Sequence, residues 1–162
     1  MNIMAPQPQR AGAGVPEIQD IADNTAAGCM ATRVRQLSRI VTRVYDDAMR
    51  PLGITASQYT LLAQLASRDG ITAVEIGYEL DIEKSTLSRN LKRLLALGHI
   101  EMDPPAGRRG RGLHLTAKGE VVLRKAYPIW QASQAKTIQA MGLESRGALD
   151  GLLDKAEKLI VV

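Results

Sequence analysis

Phenylalanine is absent from this chain, tryptophan occurs once and tyrosine four times. Any core must therefore be filled by Leu, Ile, Val, Met and Ala. The single cysteine, Cys29, excludes an intramolecular disulfide and fits a reducing cytoplasm. No apolar run approaches the roughly 20 residues that cross a bilayer, and the N-terminus lacks the basic and then apolar order of a secretory signal. His99 and His114 have no cysteine or carboxylate company in the pattern, so they predict partly exposed hairpin residues rather than a metal site. The glycines at 107, 110 and 112 echo a phosphate loop but open no strand-to-helix turn. Nucleophile-elbow, His-Glu-x-x-His and Walker patterns are missing, so neither catalysis nor a cofactor is indicated.

What the chain does have is positive charge in one place. From Lys84 to Arg111 the basic residues are Lys84, Arg89, Lys92, Arg93, Arg108, Arg109 and Arg111, and only Glu101 and Asp103 oppose them. That segment carries +5, against a net +4 for all 162 residues. The entire excess sits in one short stretch, which is the electrostatic footprint of a nucleic-acid-reading module.

The length fits one domain, mainly α with a small β component (α+β). Residues 1–27 are rich in Pro, Gly, Ala and Gln and read as a flexible arm, with a short helical piece around Glu17–Asp23. The remainder, 28–162, reads as the folded domain. A long helix is expected over 29–49, with Val34, Leu37, Ile40, Val41, Val44 and Ala48 forming an apolar stripe, ended by Pro51 and Gly53. Thr55 and Gln58 have capping-box spacing and open a helix to Ser67. Thr72 and Glu75 repeat that spacing and open a short helix to Leu80. The next helix runs from Glu83 to Gly98. Leu87, Leu91, Leu94 and Leu95 face inward, and Ser85, Thr86, Arg89, Asn90 and Arg93 face outward. Two alternating strands, 99–103 and 112–115, flank a Pro/Gly/Arg loop. Thr116 caps a helix to Met141 that Pro128 should kink, and a last helix spans 144–160.

A short helix, a tight turn and a basic amphipathic helix form a helix-turn-helix pattern, and the following hairpin makes it a winged helix over about 55–116. The second helix of such a unit enters the major groove of double-stranded DNA. Thr86, Arg89 and Asn90 suit base edges, because Arg pairs with guanine and Asn with adenine. Lys84, Ser85, Lys92 and Arg93 suit phosphates. Arg108, Arg109 and Arg111 are placed at the wing, where an arginine can enter a narrow minor groove. The alternative is a winged helix that serves as a protein-interaction module, its basic wing docking an acidic partner.

The stretches RPLGITASQYTLLAQL at 50–65, ITAVEIGYELDIEKSTLSRNLKRLLALGHIE at 71–101 and GLHLTAKGE at 112–120 resemble the MarR family of transcriptional regulators. The likeness runs from about Cys29 to the C-terminus, and its Leu-Thr-x-x-Gly ending after a basic wing is fairly specific. It implies a homodimer, with dimerisation helices at about 29–50 and 117–160; two-fold symmetry then calls for a near-palindromic operator, and the cysteine usage for a cytoplasmic protein. The resemblance also implies a repressor or activator whose DNA affinity answers to a small, often phenolic, effector or to thiol oxidation. Members commonly carry Asp-x-Arg in the wing, the Asp bracing the Arg. By register those positions are Gly107 and Arg109 here, so the brace is missing.

The resemblance places the effector between the DNA lobe and the dimerisation helices. Tyr45, Tyr59, Tyr127 and Trp130 are the expected walls, with Arg39 or Arg43 as a carboxylate partner. In the oxidant-sensing branch a reactive thiol lies near the position of Cys29 and is assisted by two tyrosines. Tyr45 matches one of them, whereas the other falls near Ala56, which has no hydroxyl. The alternative for Cys29 is a small inert thiol.

Overall fold

A computed structural model of the chain describes residues 15–104 and 110–159. The chain divides into two units, Met1–Val41 and Thr42–Val162. In the first, α1 (Ile18–Gly28) is followed by the start of α2 (Met30–Met49). Cys29 interrupts the two helices with extended backbone, its N–H donating to the Thr25 carbonyl at 3.2 Å. The helix in the N-terminal segment is thus longer than the short piece expected near 17–23. None of the described residues of this unit is buried.

The second unit holds the core. Met49 is fully buried where α2 ends. A 3-10 turn, Arg50–Leu52, follows, with Pro51 in its first turn and Gly53 at φ 70°, a left-handed value that a side chain disfavours. Thr55 then opens α3 (Ala56–Ser67). Its hydroxyl accepts from the Gln58 N–H at 3.3 Å, and Gln58 Oε1 accepts from the Thr55 N–H at 3.2 Å. The capping box is therefore reciprocal, and two otherwise orphaned donors are satisfied. Asp46 Oδ1 accepts from the Ala56 N–H at 2.7 Å, which fastens the end of α2 to the start of α3.

Residues Ile71–Thr72 form β1, a strand too short for any periodicity to announce it. Thr72 and Glu75 form the second reciprocal capping box, opening α4 (Ala73–Glu79). Then come α5 (Lys84–Ala96), β2 (Ile100–Met102), β3 (Gly112–Leu115), α6 (Ala117–Met141) and α7 (Ser145–Glu157). The sheet is antiparallel with order β1-β3-β2; Ile71 pairs with Leu113, and Ile100 with Leu115. Helix α6 continues through Pro128, whose ring nitrogen leaves the Arg124 carbonyl without its helical donor.

Leu61, Leu62 and Leu65 from α3 meet Ile76 from α4, Leu87, Leu91 and Leu94 from α5, Ile100, Leu113 and Ala126 in one core. Each fully buried leucine or isoleucine contributes about 1.5–3 kcal/mol of burial. Helix α5 is thereby fixed on its inner side, and its opposite side is left to solvent beside the β2–β3 hairpin.

Candidate nucleic-acid interface

Glu83 caps the start of α5. Its carboxylate accepts from the Ser85 N–H at 2.8 Å and the Thr86 N–H at 3.1 Å, and also from the Ser85 hydroxyl. The Ser85 hydroxyl, then the Thr86 N–H, hold the Glu83 carboxyl below its ordinary range. Ser85 is thus engaged with its own cap, although its residue remains exposed. With Leu87, Leu91 and Leu94 inward, helical spacing puts Ser85, Ser88, Arg89 and Lys92 on the outward side, flanked by Lys84 and Arg93. All six are exposed. Ser88 was not among the residues expected from the pattern, although its i+3 relation to Ser85 marks it in the sequence.

Two of the expected base-reading residues sit differently. Thr86 is half-buried, and its hydroxyl accepts from Arg89 Nη2 at 3.3 Å, so it steers Arg89. Asn90 does not lie on the outward face. It is half-buried, its Nδ2 donating to the Thr86 carbonyl at 3.1 Å and its Oδ1 accepting from Gln58 Nε2 at 3.4 Å. Its amide joins α5 to α3, and a one-residue rotation around the helix separates it from Arg89.

In the hairpin, Arg111 folds back. Its Nε donates to the Asp103 carbonyl and its Nη2 to the Met102 carbonyl at 3.4 Å. Instead of reaching outward, Arg111 fastens the root of the wing. Arg108 and Arg109, and the brace position Gly107, lie outside the described residues.

The two histidines differ from each other and from expectation. His99 precedes β2 and is buried at 5% exposure, its Nδ1 without a hydrogen-bond partner among the described residues. Burial, and then the charge of Lys118, push it below the ordinary histidine value. His114 on β3 lies between two carboxylates, Nδ1 at 2.8 Å from Asp69 and Nε2 at 3.0 Å from Asp103.

Away from α5, a cavity of about 870 Å³ opens between α3 and α6. Tyr59, Ala66, Leu123, Arg124 and Tyr127 are among its walls. Trp130 stacks on both tyrosines, at 6.1 Å from Tyr59 and 6.0 Å from Tyr127. Tyr59 is buried, and that burial raises its hydroxyl above the ordinary tyrosine value. Tyr127 is half-exposed. The cation of this cavity is Arg124, which the pattern did not single out; Arg39 and Arg43 are exposed on α2. Tyr45 is half-buried, its hydroxyl donating to Gln134 Oε1 on α6.

A family model described as MarR family matches residues 52–110. The structure also superposes on the M. tuberculosis transcriptional regulator MosR with a TM-score of 0.72 and 32% identity, over 82% of this chain and 98% of MosR. The chain belongs to the MarR family. MosR solved in complex with DNA matches with a TM-score of 0.71 and 30% identity, over 82% of this chain and 99% of that one. The multiple antibiotic resistance protein MarR of Salmonella typhimurium is 34% identical over 86 residues, 52% of this chain and 60% of that protein. This MarR-family chain thus aligns with less than two thirds of that curated relative's length.

In the MarR-family chain Cys29 is half-exposed. A hydrogen bond with the Thr32 hydroxyl, then one with the Thr32 backbone, hold its thiol below the ordinary cysteine value. Among the described residues no helix is long and apolar enough to cross a membrane.

Proposed function

We propose that this MarR-family protein is a homodimeric, sequence-specific DNA-binding regulator that acts in the cytoplasm, a repressor released by a small aromatic carboxylate. The observation that carries the DNA reading is the outward side of α5. Ser85, Ser88, Arg89, Lys92 and Arg93 lie there, on a helix locked from behind by three leucines, and the neighbouring Glu83 carboxylate is taken up by the helix cap. That is the chemistry of a major-groove helix. The MosR–DNA complex, at 30% identity, supports it. Arg108 and Arg109 are proposed for the minor groove, and Lys84, Lys92 and Arg93 for phosphates.

Dimerisation is supported by apolar side chains left in solvent. Val34, Leu37 and Ile40 on α2 are exposed, as are Leu149, Leu152 and Leu153 on α7. Large apolar side chains left in solvent on a helix face mark an interface. Two-fold symmetry then requires a near-palindromic operator with half-sites about 10 bp apart. The full-length protein, offered a random duplex pool, is expected to enrich such a palindrome and to sediment on it as two protomers. Affinity should fall steeply with salt, because displaced counterions set that slope. Equal affinity for the enriched and scrambled duplexes would remove sequence-specific regulation; a monomer at micromolar concentration would remove the dimer.

The effector reading rests on the cavity between α3 and α6. Tyr127 offers an aromatic wall, and Arg124 a guanidinium that, among the described residues, meets Glu120 at 3.5 Å, so a carboxylate can take it. Salicylate or benzoate is expected to release operator DNA from the wild type. Tyr127→Ala and Arg124→Gln should each raise the required concentration about tenfold without changing affinity for DNA alone, a loss of roughly 1.4 kcal/mol. Unchanged release in both variants would place the effector elsewhere.

A further inference from the structure

His114 sits where the sheet meets the wing. β3 is the middle strand; Asp69 lies in the turn before β1 on one side, and Asp103 lies at the end of β2 on the other. The imidazole reaches both carboxylates, Asp69 at 2.8 Å and Asp103 at 3.0 Å, one through each ring nitrogen. An ionised carboxylate only accepts hydrogen bonds, and a neutral imidazole has a single N–H. A neutral ring can therefore satisfy one of these partners and must set a lone pair against the other. Only the imidazolium satisfies both.

We propose that His114 is a positioning residue for DNA binding: as an imidazolium it pins the root of the wing, Asp103, to the α3–β1 turn, Asp69, and so sets the wing against the helix-turn-helix. This rests on the DNA-binding reading and adds its regulation by protons. Arg111 secures the same root from the other side, through the Met102 and Asp103 carbonyls. Together these contacts brace the hairpin at its base.

The charged groups around the ring set the sign. Asp69 faces it from the α3–β1 turn and Asp103 from the end of β2. Glu101, its direct partner across β2–β3, shares its side of the hairpin. Strand β1, Ile71–Thr72, brings no charge. Arg111, at the edge of β3, is bound to backbone oxygens, and Glu120 of α6 lines the same cavity as Asp69. The hydrogen bonds to Asp69 and then Asp103 hold His114 above the ordinary histidine value. The clamp is therefore complete at mildly acidic pH and is lost as pH rises through that raised value. Deprotonation frees one carboxylate and removes a positive charge from the root of an arm that approaches phosphates. Both effects weaken DNA binding.

The test uses the full-length protein and the duplex enriched from a random pool, at constant ionic strength from about pH 6 to about pH 8.5, a range that brackets the free histidine value of about 6.5. Wild-type affinity is expected to fall roughly fivefold across the range, the low end of ordinary coupling between two sites. His114→Gln should bind as weakly at low pH as the wild type does at high pH, with a flattened profile. His114→Lys keeps a cation and should restore affinity without the slope. Asp69→Asn serves if His114→Gln does not fold, and should flatten the profile in the same way. Histidine 13C resonances give an independent readout, since only His99 and His114 exist. The His114 midpoint should lie above the free value and rise further with DNA, because coupling is reciprocal. A wild-type slope retained in His114→Gln, or in Asp69→Asn, overturns the proposal, as does a His114 midpoint at or below the free value. If no duplex is enriched at any pH, the DNA reading itself fails and takes this role with it; a flat difference between variants on an enriched duplex fails the clamp alone.

Discussion

Gly119→Ala is expected to lower the melting temperature by roughly 6–12 °C, the shift that about 3 kcal/mol produces in a chain of this size. Gly119 is buried in the first turn of α6, where the helix crosses the start of β2. A Cβ built there overlaps the carbonyl oxygen of His99 and comes within 2.7 Å of Leu115 Cδ1. The carbonyl cannot retreat, because it accepts from the Thr116 N–H at 3.1 Å. Thr116 cannot move either: its hydroxyl accepts from the Gly119 N–H at 3.1 Å and donates to the Gly98 carbonyl at 2.8 Å. An ordinary helical Gly→Ala change would instead stabilise, by up to about 1 kcal/mol. Differential scanning calorimetry separates the two signs. A melting temperature equal to or above that of the wild type would show that α6 can lift from His99, and that close approach is not what this glycine provides.

A lowered melting temperature would also explain physically the Leu-Thr-x-x-Gly ending that carries the family resemblance. Leu115 ends β3, Thr116 caps α6, and Gly119 lets the cap turn lie on the strand it has just left. Other parts of the fold were legible for similarly local reasons. The Thr55–Gln58 and Thr72–Glu75 boxes placed two helix starts to the residue, since a cap is a contact between positions three apart. β1 was not legible. Its two residues are a strand only because β3, some forty positions later, supplies the partner. The N-terminal helix is longer than its pattern indicates because the 17–28 stretch has no apolar stripe long enough to stand out, and the structure buries none of it.

The site shows the same division. The basic helix and its leucine face followed from periodicity, and the exposed Lys84, Arg89, Lys92 and Arg93 match it. What a pattern of residue types cannot say is where a polar side chain spends its hydrogen bonds. Asn90 is chemically an adenine reader but is used by Thr86 and Gln58. Arg111 is chemically a wing-tip finger but is bent onto the Met102 and Asp103 carbonyls at the end of β2 and just beyond it. His99 and His114 stand on the same hairpin sequence, yet one is buried and the other is held between carboxylates from two different segments. Arg124 enters the cavity only because α6 packs on α3, a long-range contact with no trace in the local spacing.

Those differences sharpen the expected behaviour of α5. Arg89→Ala should weaken binding to the enriched duplex by about 1–3 kcal/mol and relax base preference at one position per half-site, the loss of one bidentate contact. Arg89 is exposed at the outward centre of the helix, and its guanidinium is already steered by the Thr86 hydroxyl. Thr86→Val should therefore reproduce part of the Arg89 loss although it touches no base. Arg93 lies toward the side of the same face and should serve phosphates. Arg93→Ala is expected to weaken operator and scrambled duplexes alike and to reduce the salt slope by about one. Asn90→Ala should act through the fold, lowering thermal stability while leaving base preference intact, because its amide bonds α5 to α3. Binding titrations of all four variants on matched and scrambled duplexes, at several salt concentrations, resolve the assignments. Equal losses on both duplexes for Arg89→Ala and Arg93→Ala would mean that α5 positions the protein without reading sequence. A specificity change in Asn90→Ala at unchanged stability would mean that its amide turns outward when DNA arrives.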